Sequence, residues 1–369
     1  VYVHIPFCAF HCGYCDFAVA VGKDDRRDDY RRALIAEAKR LPTPQPVDTM
    51  FWGGGTPTLL SATQLEAYLR AMLEAFPLRA GHEFSVESNP GTLDADKVRV
   101  LAEHGVTRVS LGSQSFHAPL LQVLERDHVP ADVPRAMAAV RRHLENVSLD
   151  LIFGVPGQTL EQWRDDLRAA IALEPTHVST YGLTYEKGTR LWKQRRAGKV
   201  SAVPEETELA MYELAMDLLE AAGYEHYEIS NFARPGFRCR HNAVYWANHA
   251  YFGLGMGAAK YLRGVRALNH RDLDAYLRLA LAGEPTEFQS ETLPPRERAL
   301  ETISIQLRRR EGVERRSFAT ETGLSLDGLA APILARLVEL GLLEDTGTHV
   351  SLTRRGRCVA DAVISEFWR

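Results

Sequence analysis

Six short apolar, β-branched runs punctuate the first half of the chain, and longer amphipathic stretches separate them. The runs are VYVHI (1–5), TMFW (49–52), EFSVE (83–87), RVSLG (108–112), VSLDLIF (147–153) and HVSTYGL (177–183). Between them, DDYRRALIAEAKRL (28–41) sets Tyr30, Leu34, Ala38 and Leu41 on one helical face. SATQLEAYLRAMLEAF (61–76) offers Ser61 as an N-cap and repeats Leu65, Leu69, Met72 and Leu73 at helical spacing. Alternation of this kind means parallel strands joined by crossover helices. Six such units predict an α/β fold, a barrel or open barrel of six strands, whose function collects at the carboxyl ends of the strands.

Those ends are conspicuous. Strand one runs into a loop holding Cys8, Cys12 and Cys15, strand two into GGGTPT (53–58), and strand three ends at Glu87. Strand four is followed by Gln114, and strand five contains Asp150 before GVPGQ (154–158). Singly, each glycine or proline has a turn-forming explanation. Together they predict one site at one mouth.

After residue 200 the pattern changes. A helix over 205–222 leads into an aromatic segment rich in His and Gly (223–262), and from about 285 the chain reads as helical, with helices over 294–313 and within 325–367. Two helices followed by a short ribbon around LLEDTGTHVSLT resemble a winged-helix module. The expected division is 1–200 for the barrel, 201–284 for an α+β extension and 285–369 for the C-terminal module. Arg308, Arg309, Arg310, Arg315 and Arg316 raise the idea of DNA binding. The net charge of −4 weighs against a polyanionic partner, and a solvated helix end in a packing module is the favoured reading. No run of about 18 apolar residues and no charged-then-apolar leader is present, so a cytoplasmic protein, at most peripheral at a membrane, is expected.

Three of the five cysteines fall within eight residues, too close for an ordinary disulfide framework. Zinc at a structural site wants four protein ligands, for which His4 or His11 are the candidates. An iron–sulfur cluster also normally takes four cysteines. With three, a [4Fe–4S] cluster keeps one iron open to a non-protein ligand, and S-adenosylmethionine can chelate such an iron through its amino and carboxylate groups.

C-x3-C-x2-C at the end of a first strand, followed by GGGTPT at the end of the second, resembles the radical S-adenosylmethionine (SAM) superfamily. YVHIPFCAFHCGYCDF, FWGGGTPTLL, VESNPGTL, SLGSQSF, LDLIFGVPGQT and GYEHYEISNFARPGFRCRHNAVYW follow one another as in its oxygen-independent coproporphyrinogen III oxidase group. The resemblance implies a partial (β/α)6 barrel in which Cys8, Cys12 and Cys15 ligate a [4Fe–4S] cluster. It implies SAM contacts from Tyr2, Gly54 and Glu87, and it places Tyr14, Gly55, Thr56, Gln114, Arg126 and Asp150 around the rest of the cofactor and substrate cavity. True oxidases carry a further cysteine two residues past the third, where this chain has Phe17. That departure resembles the haem-chaperone branch, whose members bind and traffic haem. HNAVYW (241–246) matches that branch's H-N-x-x-Y-W motif, so the resemblance makes His241 the candidate haem ligand, with Cys239 a second option. Met256 and Ala259 depart from the branch in the nearby glycine-rich loop. The implied function is delivery of haem to acceptor proteins, membrane-associated respiratory proteins among the options, with a homodimer compatible and no nucleic acid expected. The alternatives are coproporphyrinogen III dehydrogenation and, more weakly, haem-responsive DNA binding.

Overall fold

The computed structural model describes residues 1–41 and 44–369. Each of the six expected runs is a strand: β1 (Tyr2–Ile5), β2 (Val47–Gly54), β3 (Leu78–Ser88), β4 (Arg108–Gln114), β5 (Asn146–Phe153) and β6 (His177–Gly182). They pair in that order and all in parallel. Alternate residues explain why. Val3 and Ile5, Met50 and Trp52, Phe84 and Val86, Val109 and Leu111, Val147, Leu149 and Leu151, and Val178 point outward and are fully buried. The crossover helices cover them, forming one continuous core. Helices Ala62–Ala75 and Leu160–Ala172 both start with complete capping boxes, Ser61 with Gln64 and Thr159 with Gln162.

The intervening residues face the barrel interior and are mostly polar: Tyr2 and His4; Thr49 and Phe51; Glu83, Ser85 and Glu87; Arg108 and Ser110; Ser148 and Asp150; His177, Ser179 and Tyr181. The barrel stays open. Gly253–Leu254 adds in parallel beside β1, and the hairpin of Glu225–His226 and Asn231–Ala233 adds antiparallel beside β6. Helix Arg240–Trp246 packs under the amino-terminal ends of the strands through Thr49 and Glu83.

Two expectations are corrected. The helix expected over 294–313 is Pro295–Gln306: directly after it the backbone of Arg308 and Arg310 bonds that of Ile229 and Tyr227, and Gly312, at φ +68° against the backbone of Val350, then leads into strand Val313–Glu314. The segment after 285 begins with a strand, Glu287–Thr292, paired to Val265–Asn269, so one small sheet straddles the 284/285 boundary. Beyond it a second core is built from Leu300, Ile303, Phe318, Leu334, Val350 and their neighbours. Its order is helix, strand, helix, helix and two further strands, the first strand pairing antiparallel with the last. Arg308 pairs with Asp361, Arg310 with Glu220, and Arg315 with both Asp327 and Asp345. The arginine run is therefore largely committed to ion pairs. Among the described residues no helix is long and apolar enough to cross a membrane.

Candidate cofactor site

The cysteine loop lies over the carboxyl ends of the strands and is held from two sides. The Gly13 N–H donates to the Leu124 carbonyl (3.2 Å), and the Gly13 carbonyl accepts from the Leu191 N–H (2.8 Å). A turn bond from Cys15 N–H to the Cys12 carbonyl (3.2 Å) tightens the segment between the last two thiols. Cys8, Cys12, Tyr14 and Cys15 line one side of a cavity of about 490 Å³, and Gly54, Gly55, Thr56, Glu87, Gln114, Arg126 and Asp150 line the rest. Gln114 reaches it because β4 is irregular between Gly112 and Gln114, where Gln114 takes φ +61°.

Charge in this cavity is costly. Burial, reinforced by the neighbouring Asp150, raises the Glu87 carboxyl to about 7, while a hydrogen bond from the Gly54 N–H (3.0 Å) works against the rise. Burial also raises Asp150, which accepts from the Ser110 hydroxyl at 2.9 and 3.0 Å. It pushes the Cys8 thiol up to about 12 and Cys15 to about 11, and it raises the Tyr14 phenol. Arg126 is the cation on this wall. Its Nη2 donates to the Gly112 carbonyl (2.8 Å), its Nη1 lies 3.5 Å from Cys12 Sγ, and its buried Nε has no partner.

These residues fit an iron–sulfur cluster. Thiolates at this depth need nearby positive charge, which iron supplies. Zinc fits poorly: among the described residues no group of three or more His, Cys, Asp or Glu side chains gathers round a single-ion position. The two histidines considered as fourth ligands are engaged elsewhere. His11 Nε2 bonds the Cys15 carbonyl (2.9 Å), while His4 bonds Tyr2 through Nδ1 (3.0 Å) and the Ala18 carbonyl through Nε2 (2.7 Å).

Tyr2 and His241 do not line the cavity. Tyr2 sits beneath it on β1, stacked on Phe51. His241 is buried at the opposite end of the barrel, with Nδ1 2.9 Å from Thr49 Oγ1, Nε2 2.8 Å from the Tyr245 hydroxyl, and its ring stacked on Phe51. Neither nitrogen is free for iron in this conformation. Cys239 is buried against Glu83 (3.5 Å), and burial pushes its thiol up to about 12. Met256 is buried and Ala259 half-buried on the strand beyond it, and neither lines the cavity. Sequence reasoning missed Tyr181, which is 41% exposed and lines the cavity, and the Asn89–Asp127 pair (2.7 Å) on its wall. The alternation of HVSTYG would have pointed Tyr181 inward with Ser179.

Three thiols on a loop over the carboxyl end of an open parallel barrel, beside a Gly-rich second strand end, define a radical SAM protein. Residues 2–170 match the Radical SAM superfamily, a family for which a [4Fe–4S] cluster and SAM are implied, and residues 293–359 match the HemN C-terminal domain. The chain is 38% identical to the heme chaperone HemW of Bacillus subtilis (strain 168), covering 99% of this chain and 98% of that one. It is 32% identical to the heme chaperone HemW of Escherichia coli (strain K12), covering 100% and 97%. The chain belongs to the HemW family. Among solved structures, coproporphyrinogen III oxidase HemN from Escherichia coli superposes with a TM-score of 0.86 over 99% of this chain and 89% of that one, at 23% identity, a likeness of fold.

Proposed function

We propose that the chain is a haem chaperone that binds a [4Fe–4S] cluster, SAM and haem and delivers the haem to acceptor proteins, membrane-associated respiratory proteins among them. The observation that carries this reading is similarity to HemW proteins along essentially the whole length of both chains. Phe17 supports it. The residue is 64% exposed on the cavity wall, at the position where true oxidases carry a further cysteine.

Cys8, Cys12 and Cys15 would hold the cluster, and Arg126 adds positive charge beside Cys12. Glu87 and Asp150 present acceptor oxygens suited to amino and ribose hydroxyl groups. Bound cluster and SAM together supply one-electron chemistry. The chain's own share is to bind and orient these groups in a half-open cavity at the strand ends.

The test is anaerobic cluster reconstitution followed by two parallel assays, haem titration and turnover of coproporphyrinogen III with SAM. Saturable haem binding without vinyl-bearing product supports the chaperone reading. Vinyl product would overturn it in favour of the oxidase.

A further inference from the structure

Gln114 enters the cavity from a strained stretch of backbone. It closes β4 at φ +61°, in the left-handed region that residues other than glycine rarely take. The ladder to β5 breaks just before it: Gly112 pairs with Asp150 and Gln114 with Leu151, leaving Ser113 without an opposite number. An extra residue of this kind re-aims the side chains beside it. A left-handed residue in such a place persists only where its surroundings over-determine it.

What holds it is Asp166, a fully buried carboxylate on helix Leu160–Ala172. Asp166 accepts from the Ser115 hydroxyl at 2.9 and 3.1 Å and from the Phe116 N–H at 2.5 Å. Ser115 and Phe116 are the two residues directly after Gln114. The Ser115 hydroxyl in turn accepts the His117 N–H (3.0 Å), and the Ser115 N–H donates to the Ser113 carbonyl (2.7 Å). On its other side Asp166 lies 3.5 Å from Nε2 of Gln158, and Oε1 of Gln158 accepts the Val155 N–H (3.2 Å). One carboxylate thus fastens the chain after β4 and the chain after β5 to the same helix, although Asp166 itself does not line the cavity.

The Gln114 side chain delivered by this arrangement lines the cavity wall, and among the described residues its amide bonds no protein group. A primary amide offers two donors and an acceptor, which suits the polar groups of a nucleoside. We propose that Asp166 is a positioning residue for cofactor binding: it fixes the left-handed turn at Gln114 and so presents the Gln114 amide to SAM. The inference rests on the SAM-binding reading above and adds to it a residue that acts from outside the cavity.

The experiment measures SAM affinity per cluster-loaded chain by equilibrium dialysis after reconstitution, with the urea midpoint read on each variant. A net hydrogen bond is worth ~3–10-fold in affinity, so Gln114→Ala is expected to weaken SAM binding by that factor. Asp166→Ala should lose the same factor and the double variant no more, because Asp166 acts through Gln114. Asp166→Asn keeps an acceptor for the Phe116 N–H and a donor for Ser115, and it should bind SAM like the parent. Ser115→Ala leaves the carboxylate and its bond to Phe116 in place, which guards against a failure of Asp166→Ala to fold. Its affinity should fall between those of the parent and Gln114→Ala. A lowered urea midpoint with unchanged SAM affinity in Asp166→Ala, or in Ser115→Ala, would make the contact merely structural and overturn the proposal. Losses that add in the double variant, or Asp166→Asn binding as weakly as Asp166→Ala, would overturn it too. Absence of saturable SAM binding in the parent chain would instead overturn the cofactor reading, and this proposal with it.

Discussion

Gly54 and His4 approach so closely that no Cβ fits between them: one built on Gly54 would overlap the imidazole. The contact matters because His4 joins β1 to the far side of the cysteine loop, through Tyr2 on one nitrogen and the Ala18 carbonyl on the other. Gly54 also takes φ +97°, and its N–H reaches Glu87. The neighbouring glycines are similarly constrained. A Cβ on Gly55 would fall 2.6 Å from the Ile5 carbonyl oxygen, and one on Gly53 would meet the Glu87 carboxyl. The glycine run is thus required by packing before any cofactor arrives.

Gly54→Ala should therefore cost both stability and cluster. Overpacking of about 1–3 kcal/mol is expected, together with displacement of His4 and a looser cysteine loop. Gly157→Ala is the comparison, since Gly157 also has positive φ (+79°) but nothing within 4 Å of a built Cβ. It should lose only the backbone term, about 1–2 kcal/mol, and keep its iron. Urea midpoints and iron per chain after reconstitution separate the two.

Glu87 gives a pH dependence whose sign is fixed. Its carboxyl is raised from 4.5 to about 7 in the fold, so the unfolded chain ionises first as pH rises. The neutral acid costs nothing below the unfolded value. The penalty grows from pH 4.5 to about 7 and then levels off, at an upper bound of about 3 kcal/mol. Glu87→Gln keeps an acceptor for the Gly54 N–H but carries no charge. In ligand-free protein it should be more stable than the parent at about pH 8, with the gap closing towards the ordinary carboxylate range near pH 4.5. Equal gaps at both pH values would show that ionisation of Glu87 is not the cause.

Each cysteine of the loop can be tested alone. Cys8→Ser, Cys12→Ser and Cys15→Ser should each remove the visible absorption and the roughly four irons per chain expected of a reconstituted cluster. Cys239→Ser should keep both, because its thiol faces Glu83 at the other end of the barrel. Iron retained in any of the three loop variants would argue for a different ligand set.

The strands were legible because their outward residues are unbroken apolar sets, and the thiol site because its ligands sit in one short segment. The cavity's far wall was harder. Tyr181 and the Asn89–Asp127 pair reach it from separate strand ends, and only the curvature of the open sheet brings them together. The end of helix Pro295–Gln306 was hidden by the helix-favouring arginines after it, whose backbone instead bonds that of distant Tyr227 and Ile229. The surroundings of His241 were not readable locally at all. Its partners Thr49 and Glu83 lie 192 and 158 residues away in sequence.

Those distant partners make the last prediction. Both nitrogens of the His241 ring are hydrogen-bonded, and Glu83 accepts the His241 N–H (3.0 Å) and the Arg240 N–H (2.9 Å) while facing buried Arg108 at 3.6 Å. His241→Ala would strand the Thr49 and Tyr245 hydroxyls and leave a cavity beside Phe51, a loss of about 2–4 kcal/mol. Glu83→Ala would leave Arg108 buried without a carboxylate, a loss of about 3–5 kcal/mol. The two losses should be less than additive in the double variant, because both act on the same helix seat. Haem affinity per folded molecule should be unchanged in His241→Ala. A His241→Ala protein with the parent's urea midpoint but no haem binding would instead identify His241 as an iron ligand, reached by the parting of helix Arg240–Trp246 from the barrel.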